Sequence, residues 1–476
     1  MKKSMLNLTL TVLLIANFLL PSFSFGQYTK LLDFTGINGR QPFGSLFSDG
    51  TFLYGMTQLG GTSNLGVIYK IKPDGTGYNK LLDFADTTNG SHPWGSLISD
   101  GTFLYGMTYD GGANSMGVIF KIKSDGTGYS KLKDFSGING AHPISSLISE
   151  GTFLYGMTYR GGISDAGVIF KIMPDGTGYS KLWDFDGSIN GSLPSGSLIS
   201  DGTFLYGMTV LGGANQMGVI FKIKLDGTGY SKLLDFSGSN GNAGSSSLIS
   251  DGTFLYGMAY QGGTNGAGVI FKIKPDGTGY LKLKDFPTLM NGGGPTGSLI
   301  FDGTFLYGAN EGPPGGLYNT GVIFEIMPDG TGYTDLFYFD PDTLGFGNAS
   351  GSKVIGDLIS DGTSLYGMAV QGGTGSCPYG CGTIFKFHPI GMGIAENDVA
   401  ESFKVLPNPS NGMFMIGTEE NNYMFMITNV LGENIYKSGF INQKTEIDLS
   451  KEPNGIYFLN IKTEKEAYTK KIIINR

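Results

Sequence analysis

Short apolar runs separated by turn residues recur along most of the chain. A typical unit, from Ser96 to Phe135, contains four such runs, with Asp100-Gly101 between the first two and Asp125-Gly126 between the last two. An Asp-Gly pair between apolar runs indicates a hairpin, because Gly adopts a positive φ without penalty and Asp tolerates one. Two hairpins joined by the loop GGANSMG predict a four-stranded antiparallel meander.

The two central runs of the unit, TFLYGMT and GVIFKI, are apolar at both alternating sets of positions. Successive side chains of a strand point to opposite faces, so both faces of each predicted sheet must be buried. The glycine inside LYG is expected to leave room for a neighbouring sheet or backbone. The LYG string occurs seven times, beginning at Leu53, Leu104, Leu154, Leu205, Leu255, Leu306 and Leu365. This repetition predicts an all-β fold, a seven-bladed β-propeller of four-stranded antiparallel blades.

The two ends of the repeat region complete each other. The seventh unit ends near Pro389 without the DGTGY turn and the fourth strand. A matching strand is found at the other end, where Tyr28 to Phe34 reads YTKLLDF and precedes the first SLFSDG. We therefore expect this N-terminal strand to close the ring. An open solenoid is the alternative, but it would need a polar cap at each end.

The first 26 residues have the pattern of a secretory signal peptide. Lys2 and Lys3 are followed by the largely apolar segment from Leu6 to Leu20, and Ser24-Phe25-Gly26 offers small residues for cleavage. The mature chain is expected to begin at Gln27. An uncleaved membrane anchor is the alternative, but the apolar run is shorter than the roughly 20 residues that a spanning helix needs.

Composition excludes some classes of protein. With 80 Gly, 33 Phe and 25 Tyr among 476 residues, the chain has the core material and turn residues of a folded all-β protein. The net charge of −8 and the scattered Lys and Arg residues disfavour a nucleic-acid partner, which needs concentrated positive charge. Cys377 and Cys381 are the only cysteines, and export to an oxidising compartment favours a disulfide between them. The pair is expected to be structural, as a disulfide or as inert thiols. Metal binding and a redox role are the alternatives, but two thiolates alone make an incomplete metal site and the spacing is CxxxC rather than CxxC.

The units resemble the GloVer-type tandem repeat. The resemblance rests on LYGMT, the following GG, GVIFKI and DGTGY, and it extends from Tyr28 to Pro389. Residues 27–389 are accordingly assigned to the propeller. The family is known as an extracytoplasmic repeat of undetermined activity, so the resemblance implies a location and brings no catalytic residues.

The C-terminal segment, residues 403–476, follows a linker at 390–402 and has its own pattern of strands and turns. Its characteristic residues are Pro407, Asn408, Pro409, Gly412, Gly432, Gly455, Tyr457, Lys470 and Lys471. In these residues the segment resembles the type A sorting domain of type IX secretion. The resemblance implies a small β-sandwich, recognition by the type IX translocon in the outer membrane, and release or attachment at the cell surface. A generic β-sandwich accessory domain is the alternative.

Ligand-binding residues are expected on one face of the disc. If YTKLLDF is an outer strand, both Asp-Gly turns of each blade share one face, and the variable GG loops share the other with the loops that lead to the next blade. Aromatic and polar side chains on the variable face would suit a glycan, although aromatics can also cover the core. The candidates are Trp94, Tyr109, Asp110, Tyr159, Arg160, Tyr260, Gln261 and Glu311.

Catalytic and metal chemistry is less well supported. Asp110, Asp165 and Glu311 are taken as the only acids near this face that break the repeat, and hydrolysis of a glycan needs two suitably spaced carboxylates. His92 and His142 occupy equivalent places in adjacent units and are interpreted as loop packing residues. Trp183 is interpreted as a strand packing residue, and no cofactor or metal is expected.

The sequence thus predicts a secreted or surface-attached, non-enzymatic propeller that binds a glycan or a protein or has a structural role. The alternative is a secreted glycan hydrolase or lyase that uses the acids of the variable face.

Overall fold

The fold is seen in a computed structural model. It describes residues 26–287, 294–311, 321–339, 350–389, 403–407, 410, 412–418, 424–429, 434–438, 445–453, 455–462 and 467–474. The signal peptide up to residue 25, the linker at 390–402, and Asn408, Pro409 and Gly432 of the sorting motif lie outside the described residues.

Described secondary structure in the repeat region consists of short β-strands. In chain order they are β1 (Gln27–Asp33), β2 (Phe47–Ser48), β3 (Leu53–Thr57), β4 (Val67–Ile71), β5 (Asn79–Asp83), β6 (Ile98–Ser99), β7 (Phe103–Thr108), β8 (Val118–Lys123), β9 (Ser130–Asp134), β10 (Ile148–Glu150), β11 (Phe153–Thr158), β12 (Val168–Ile172), β13 (Ser180–Asp184), β14 (Ser192–Ser200), β15 (Phe204–Leu211), β16 (Val219–Lys224), β17 (Ser231–Asp235), β18 (Ile249–Ser250), β19 (Leu255–Ala259), β20 (Val269–Ile273), β21 (Leu281–Asp285), β22 (Pro295–Phe301), β23 (Leu306–Asn310), β24 (Val322–Ile326), β25 (Thr334–Tyr338), β26 (Ile359–Ser360), β27 (Leu365–Ala369) and β28 (Thr383–His388).

These strands form seven four-stranded antiparallel sheets, the blades of a β-propeller. Blades 1 to 6 are each built from four consecutive strands, beginning with β2–β5. Blade 7 has the order β1-β28-β27-β26, so the N-terminal strand supplies its fourth strand. Gln27 pairs with His388 and Asp33 with Thr383. The predicted seven blades and their closure by the N-terminal strand are confirmed.

The hydrophobic core lies between neighbouring blades. One cluster joins Tyr54 and Phe84 of blade 1 to Leu104 and Phe120 of blade 2, and the pattern continues around the ring. Each blade therefore buries both faces, as the apolar residues at both alternating positions predict. Trp183 stacks on Tyr230 at 4.1 Å between ring centroids, which agrees with its interpretation as a packing residue.

The glycine of LYG is required by a close approach within one sheet. Gly106 of β7 pairs with Phe120 of β8, and a Cβ at Gly106 would lie 2.7 Å from the end of the phenyl ring. The equivalent contact occurs in the next blade, where the ring of Phe170 faces Gly156. The expectation of a neighbouring sheet or backbone was wrong, because the space is filled by an aromatic ring of the paired strand.

The C-terminal segment forms two further sheets. Its strands are β29 (Phe403–Leu406), β30 (Met413–Thr418), β31 (Met424–Asn429), β32 (Asn434–Lys437), β33 (Thr445–Asp448), β34 (Gly455–Lys462) and β35 (Ala467–Ile474).

The two sheets of this segment have the orders β29-β30-β33 and β32-β31-β34-β35. Phe414 and Ile416 from the first sheet share one buried cluster with Ile427, Leu459 and Ile472 from the second. This arrangement is the predicted small β-sandwich. No helix among the described residues is long and apolar enough to cross a membrane.

Candidate ligand-binding site

The GG loops and the loops that lead from one blade to the next lie on one face of the propeller. Backbone bridges join the two kinds of loop: Ser91 pairs with Asp110, Ala141 with Arg160 and Asn242 with Gln261. We call this surface the GG face. The shared face predicted from strand direction is therefore present, and it carries the candidate residues.

Four rings form a continuous aromatic track on the GG face. Phe43 stacks on Trp94 at 4.7 Å between centroids, Trp94 lies 5.7 Å from Tyr109, and Tyr109 lies 4.7 Å from the ring of His142. Trp94 and Tyr109 are half-buried, so part of each ring remains accessible. The structure brings these two predicted residues together and adds Phe43 and His142, which sequence reasoning had not placed in the site.

Asp110 is held between two histidines. The Nδ1 atoms of His92 and His142 each lie 3.2 Å from one of its carboxylate oxygens. His142 Nδ1 is also 3.1 Å from the carbonyl oxygen of Tyr109, which can only accept, so this nitrogen carries the proton. The interpretation of both histidines as loop packing residues was incomplete, because two adjacent units converge on one acid.

The backbone that positions the histidines belongs to the scaffold. His92 and His142 have positive φ values of 54° and 51°, and Gln41 and Leu193 at the equivalent places have 55° and 56°. The left-handed turn is therefore common to several blades. Only the side chains that it presents differ, and in blades 2 and 3 these are imidazoles.

Tyr159 and Arg160 form the next group around the GG face. The Arg160 guanidinium lies over the Tyr159 ring at 6.0 Å and pairs with Asp165 at 3.0 Å. The pKa of Asp165 is lowered by the backbone N–H of Gly161, and the Arg160 charge adds to this effect while burial opposes it. Asp165 is therefore an ionised partner of arginine, a poor choice for a general acid.

Tyr260 and Glu311 come together from neighbouring blades. The Tyr260 hydroxyl donates to a Glu311 carboxylate oxygen at 3.0 Å. Burial, aided by the nearby Glu311 charge, raises the pKa of Tyr260 to about 12. Gln261 is exposed beside this pair and accepts a hydrogen bond from Asn242 at 3.4 Å.

An axial cavity of about 360 Å³ opens in the centre of the ring, and all seven blades contribute to its wall. Trp94 and Tyr260 both line it, so two of the predicted aromatics that belong to different blades meet at one cavity. This volume falls within the range of about 300–1,000 Å³ found for small-molecule sites.

Glycine sets the width of this cavity. A Cβ at Gly95 would lie 2.3 Å from the carbonyl oxygen of Ser145 in the next blade, and a Cβ at Gly44 would lie 2.3 Å from that of Gly95. Adjacent backbones thus approach closely around the axis. Blade 3 has Ser145 in place of this glycine, and the Ser145 hydroxyl donates a hydrogen bond to the carbonyl of Met157 in the same blade.

The residue that follows this glycine or serine in each blade belongs to a closed ring of hydrogen bonds around the axis. In most blades, a serine N–H donates to the serine Oγ of the next blade over 2.6 to 3.0 Å. The ring consists of Ser45, Ser96, Ser146, Ser197, Ser247, Ser298 and Asp357.

Asp357 takes the place of serine in blade 7. Its N–H donates to Ser45 Oγ at 2.7 Å, and its carboxylate accepts hydrogen bonds from Ser298 and Ser45. Burial raises the pKa of Asp357, although these hydrogen bonds oppose the shift. Asp110, Asp165 and Glu311 were the acids expected to break the repeat near the GG face, and Asp357 is a further acid that breaks it, at the axis. The signal was GDL in blade 7, where the other blades have GSL or SSL.

Three further features concern metal ligands, the Asp-Gly turns and the cysteines. No group of three His, Cys, Asp or Glu residues that could hold a metal ion occurs in the part of the chain that the structure describes. Asp100, in the first Asp-Gly turn of its unit, accepts hydrogen bonds from the N–H groups of Thr102 and Phe103 and from the Tyr105 hydroxyl. Cys377 and Cys381 form a disulfide with their Cα atoms 5.2 Å apart.

The fold and the C-terminal segment define the class: an all-β propeller protein that carries an export domain. The family model of the Gloeobacter/Verrucomicrobia repeat matches residues 21–208 and 199–351, which is more than half of the chain. The chain belongs to this repeat family. The model of the secretion system C-terminal sorting domain matches residues 404–475. The chain is therefore exported to the cell surface or secreted.

Similar solved structures share the fold. PorZ, a surface component of the type-IX secretion system of Porphyromonas gingivalis, is 15% identical, with 94% of this chain and 60% of that chain covered and a TM-score of 0.48. An extracellular domain from B. thetaiotaomicron, of a protein described as a hybrid two-component system, is 9% identical over 95% of this chain and 58% of that chain, with a TM-score of 0.50.

A puromycin-hydrolyzing peptidase of Mycobacterium tuberculosis is 12% identical over 84% of this chain and 62% of that chain, with a TM-score of 0.46. This chain spans about three fifths of the length of these three proteins. The likeness to the B. thetaiotaomicron domain shows the propeller fold alone, and the two lower scores support no statement about activity. A comparison with curated proteins found no match.

Proposed function

We propose that the protein is a non-enzymatic binding protein of the cell surface or extracellular space that holds a glycan on its GG face. The observation that carries this proposal is the aromatic track from Phe43 through Trp94 and Tyr109 to His142, which adjoins the axial cavity at Trp94. Binding sites for small ligands combine apolar and aromatic walls with a few oriented polar groups. An aromatic ring offers a flat apolar face to the C–H face of a sugar.

Polar groups on the GG face are already held in place. Asp110 is fixed by two histidines, Arg160 by Asp165, and Glu311 by the Tyr260 hydroxyl. Side chains that are ordered before binding lose less conformational entropy when the ligand arrives. These groups therefore supply oriented donors and acceptors for sugar hydroxyls at a low entropic cost.

The surroundings of the acidic side chains favour binding of a glycan over its hydrolysis. Glycoside hydrolysis uses a pair of carboxyl groups about 5–9.5 Å apart, one of which acts as an acid. Asp165 is committed to Arg160, and Asp110 contacts two imidazoles. Asp357, whose pKa is raised, is the single acid among the described residues that line the axial cavity.

A glycan-binding screen tests the proposal. The chain from Gln27 to Arg476 is applied to an array of polysaccharides and cell-surface glycans, and soluble products are monitored in parallel. We expect binding without turnover. We also expect Trp94→Ala and Tyr109→Ala to weaken binding at least tenfold, about 1.4 kcal/mol, because each removes a ring of the track.

Tyr338→Ala is the matched control. Tyr338 ends β25, the fourth strand of blade 6, away from the track, and it is 60% exposed. Its removal should leave both binding and thermal stability unchanged. Product formation would overturn the non-enzymatic assignment. Absence of glycan binding would favour a protein ligand or a structural role instead.

A further inference from the structure

The axial cavity has two layers of different chemistry. The outer layer, towards the GG face, includes Phe43, Trp94 and Tyr260. The inner layer is the ring of serines and Asp357. Trp94 precedes the ring position Ser96 by two residues, with Gly95 at a bend between them. Both layers line the same cavity, so one bound ligand can contact both.

The inner layer contains one acidic side chain, Asp357. The described residues that line the cavity are serine, glycine, threonine, alanine, aliphatic or aromatic, apart from Asp357. Each ring serine Oγ accepts an N–H from a neighbouring blade except in blade 7, where a carboxylate takes this role. A single carboxylate below aromatic rings matches a ligand with one positive charge and an apolar face.

A divalent metal ion fits this layer less well. Calcium takes six to eight oxygen ligands, several of them carboxylates in most sites. Here one carboxylate is joined by neutral hydroxyl groups that already accept hydrogen bonds from backbone N–H groups. An organic ammonium group needs only a carboxylate and a few hydroxyl acceptors, which the ring provides.

We propose that the axial cavity binds an amino sugar, with its ammonium group paired to Asp357 and its ring against Trp94 and Tyr260. This inference rests on the proposed glycan binding and specifies its ligand class. The carboxylate is positioned for this contact by Ser298 and Ser45. Carboxylate and aromatic faces together favour a cation over a neutral analogue.

The test compares two oligosaccharides that differ only in charge. The chain from Gln27 to Arg476 is titrated calorimetrically with a glucosamine tetramer and with its fully N-acetylated counterpart. The titrations are repeated from mildly acidic to neutral pH, because the amines lose their protons towards neutral pH while burial raises the pKa of Asp357. We expect the glucosamine tetramer to bind at least tenfold more tightly. Equal affinity for the two probes, or no binding of glucosamine, would overturn the inference.

Asp357→Ser is the decisive variant, because serine occupies this place in the other six blades and accepts a neighbouring N–H there. It should keep the melting temperature of the unmodified chain and lose at least tenfold in affinity for the glucosamine tetramer. Affinity for the acetylated tetramer should not change. Asp357→Asn should behave in the same way. Unchanged glucosamine affinity in both variants would contradict the assignment of Asp357.

Failure of this inference can be separated from failure of the proposed function. Trp94→Ala should weaken binding of both tetramers if sugars bind at the aromatic track, whether or not Asp357 is involved. Tetralysine supplies ammonium groups without sugar rings. If tetralysine binds as tightly as glucosamine and loses affinity in Asp357→Ser, the ammonium group belongs to a peptide, and the amino-sugar assignment is wrong.

Discussion

At the scale of single residues, repeated positions of the chain are explained by a few local contacts. The aspartate of the first turn stabilises the turn by accepting hydrogen bonds from backbone N–H groups. It also accepts a hydrogen bond from the hydroxyl of the LYG tyrosine, as Asp100 does from Tyr105. Burial acts to raise the pKa of Asp100, but these hydrogen bonds outweigh it and the pKa is lowered. Such positions are structural, so departures from the repeat indicate where function can lie.

Tyr69 is a departure that we expect to cost stability. It is fully buried, and its hydroxyl contacts the Met368 sulfur, a weak acceptor, at 2.8 Å. The other blades have phenylalanine at this place, as in Phe120. Tyr69→Phe should raise the free energy of unfolding by about 1 kcal/mol, because a poorly paired hydroxyl is removed from the core. Urea denaturation measures the change.

The reverse substitution serves as the control. Phe120→Tyr places a hydroxyl against Gly106 in blade 2, and we expect it to lower the free energy of unfolding. If Tyr69→Phe instead lowered the free energy of unfolding, the contact with Met368 would stabilise the fold by more than the burial of the Tyr69 hydroxyl costs.

At the scale of elements, β1 joins the two ends of the propeller. Tyr28 stacks on Phe337 of blade 6 at 4.5 Å, and its hydroxyl donates to the carbonyl of Ser350. Phe34 is fully buried against Tyr69 of blade 1, at 5.4 Å between ring centroids. β1 and the residue that follows it thus contribute to the hydrophobic clusters on both sides of blade 7.

Removal of this strand should open the ring. Deletion of Gln27 to Phe34 exposes an edge of β28 and removes two packed aromatic residues, each worth about 3–5 kcal/mol. We expect a large fall in melting temperature, measured by calorimetry. A synthetic peptide of residues 27–34 should restore part of the loss. Because the deletion can prevent folding, Phe34→Ala is compared with Thr29→Ala, whose side chain is exposed. An unchanged melting temperature for the deletion would contradict closure by β1.

At the scale of the whole molecule, the chain combines a ring of repeats with a separate export domain. The sorting domain has its own two sheets and its own buried cluster, which includes Val405 and Ile474 near its two ends. A complete core of this kind can fold without help from the repeats.

Deletion of Lys404 to Arg476 should stop transport across the outer membrane. We expect the truncated protein to accumulate in the periplasm, because the segment that matches the sorting family is gone. Cell fractionation and surface labelling measure its location, with the full chain as reference. The purified truncated protein should keep the melting transition of the propeller, which separates an export defect from misfolding. Normal surface display would contradict the sorting role.

Much of the architecture could be predicted because its causes are local. Asp-Gly turns, strand alternation and the repeat length depend on residues within a few positions of one another. The displaced strand at Tyr28 to Phe34 could be found because it repeats a recognisable pattern. The export domain could be assigned from its resemblance to a known family.

The tertiary structure alone decided which side chains meet. His92 and His142 are 50 positions apart in sequence, yet both contact Asp110, since adjacent blades bring equivalent loops together. Asp357 and Ser45 are 312 positions apart, and closure of the ring places them in hydrogen-bond contact at the axis. The sequence by itself determined the blades, their number and the export route. The aromatic track and the axial carboxylate depend on contacts between blades, which only the closed ring creates.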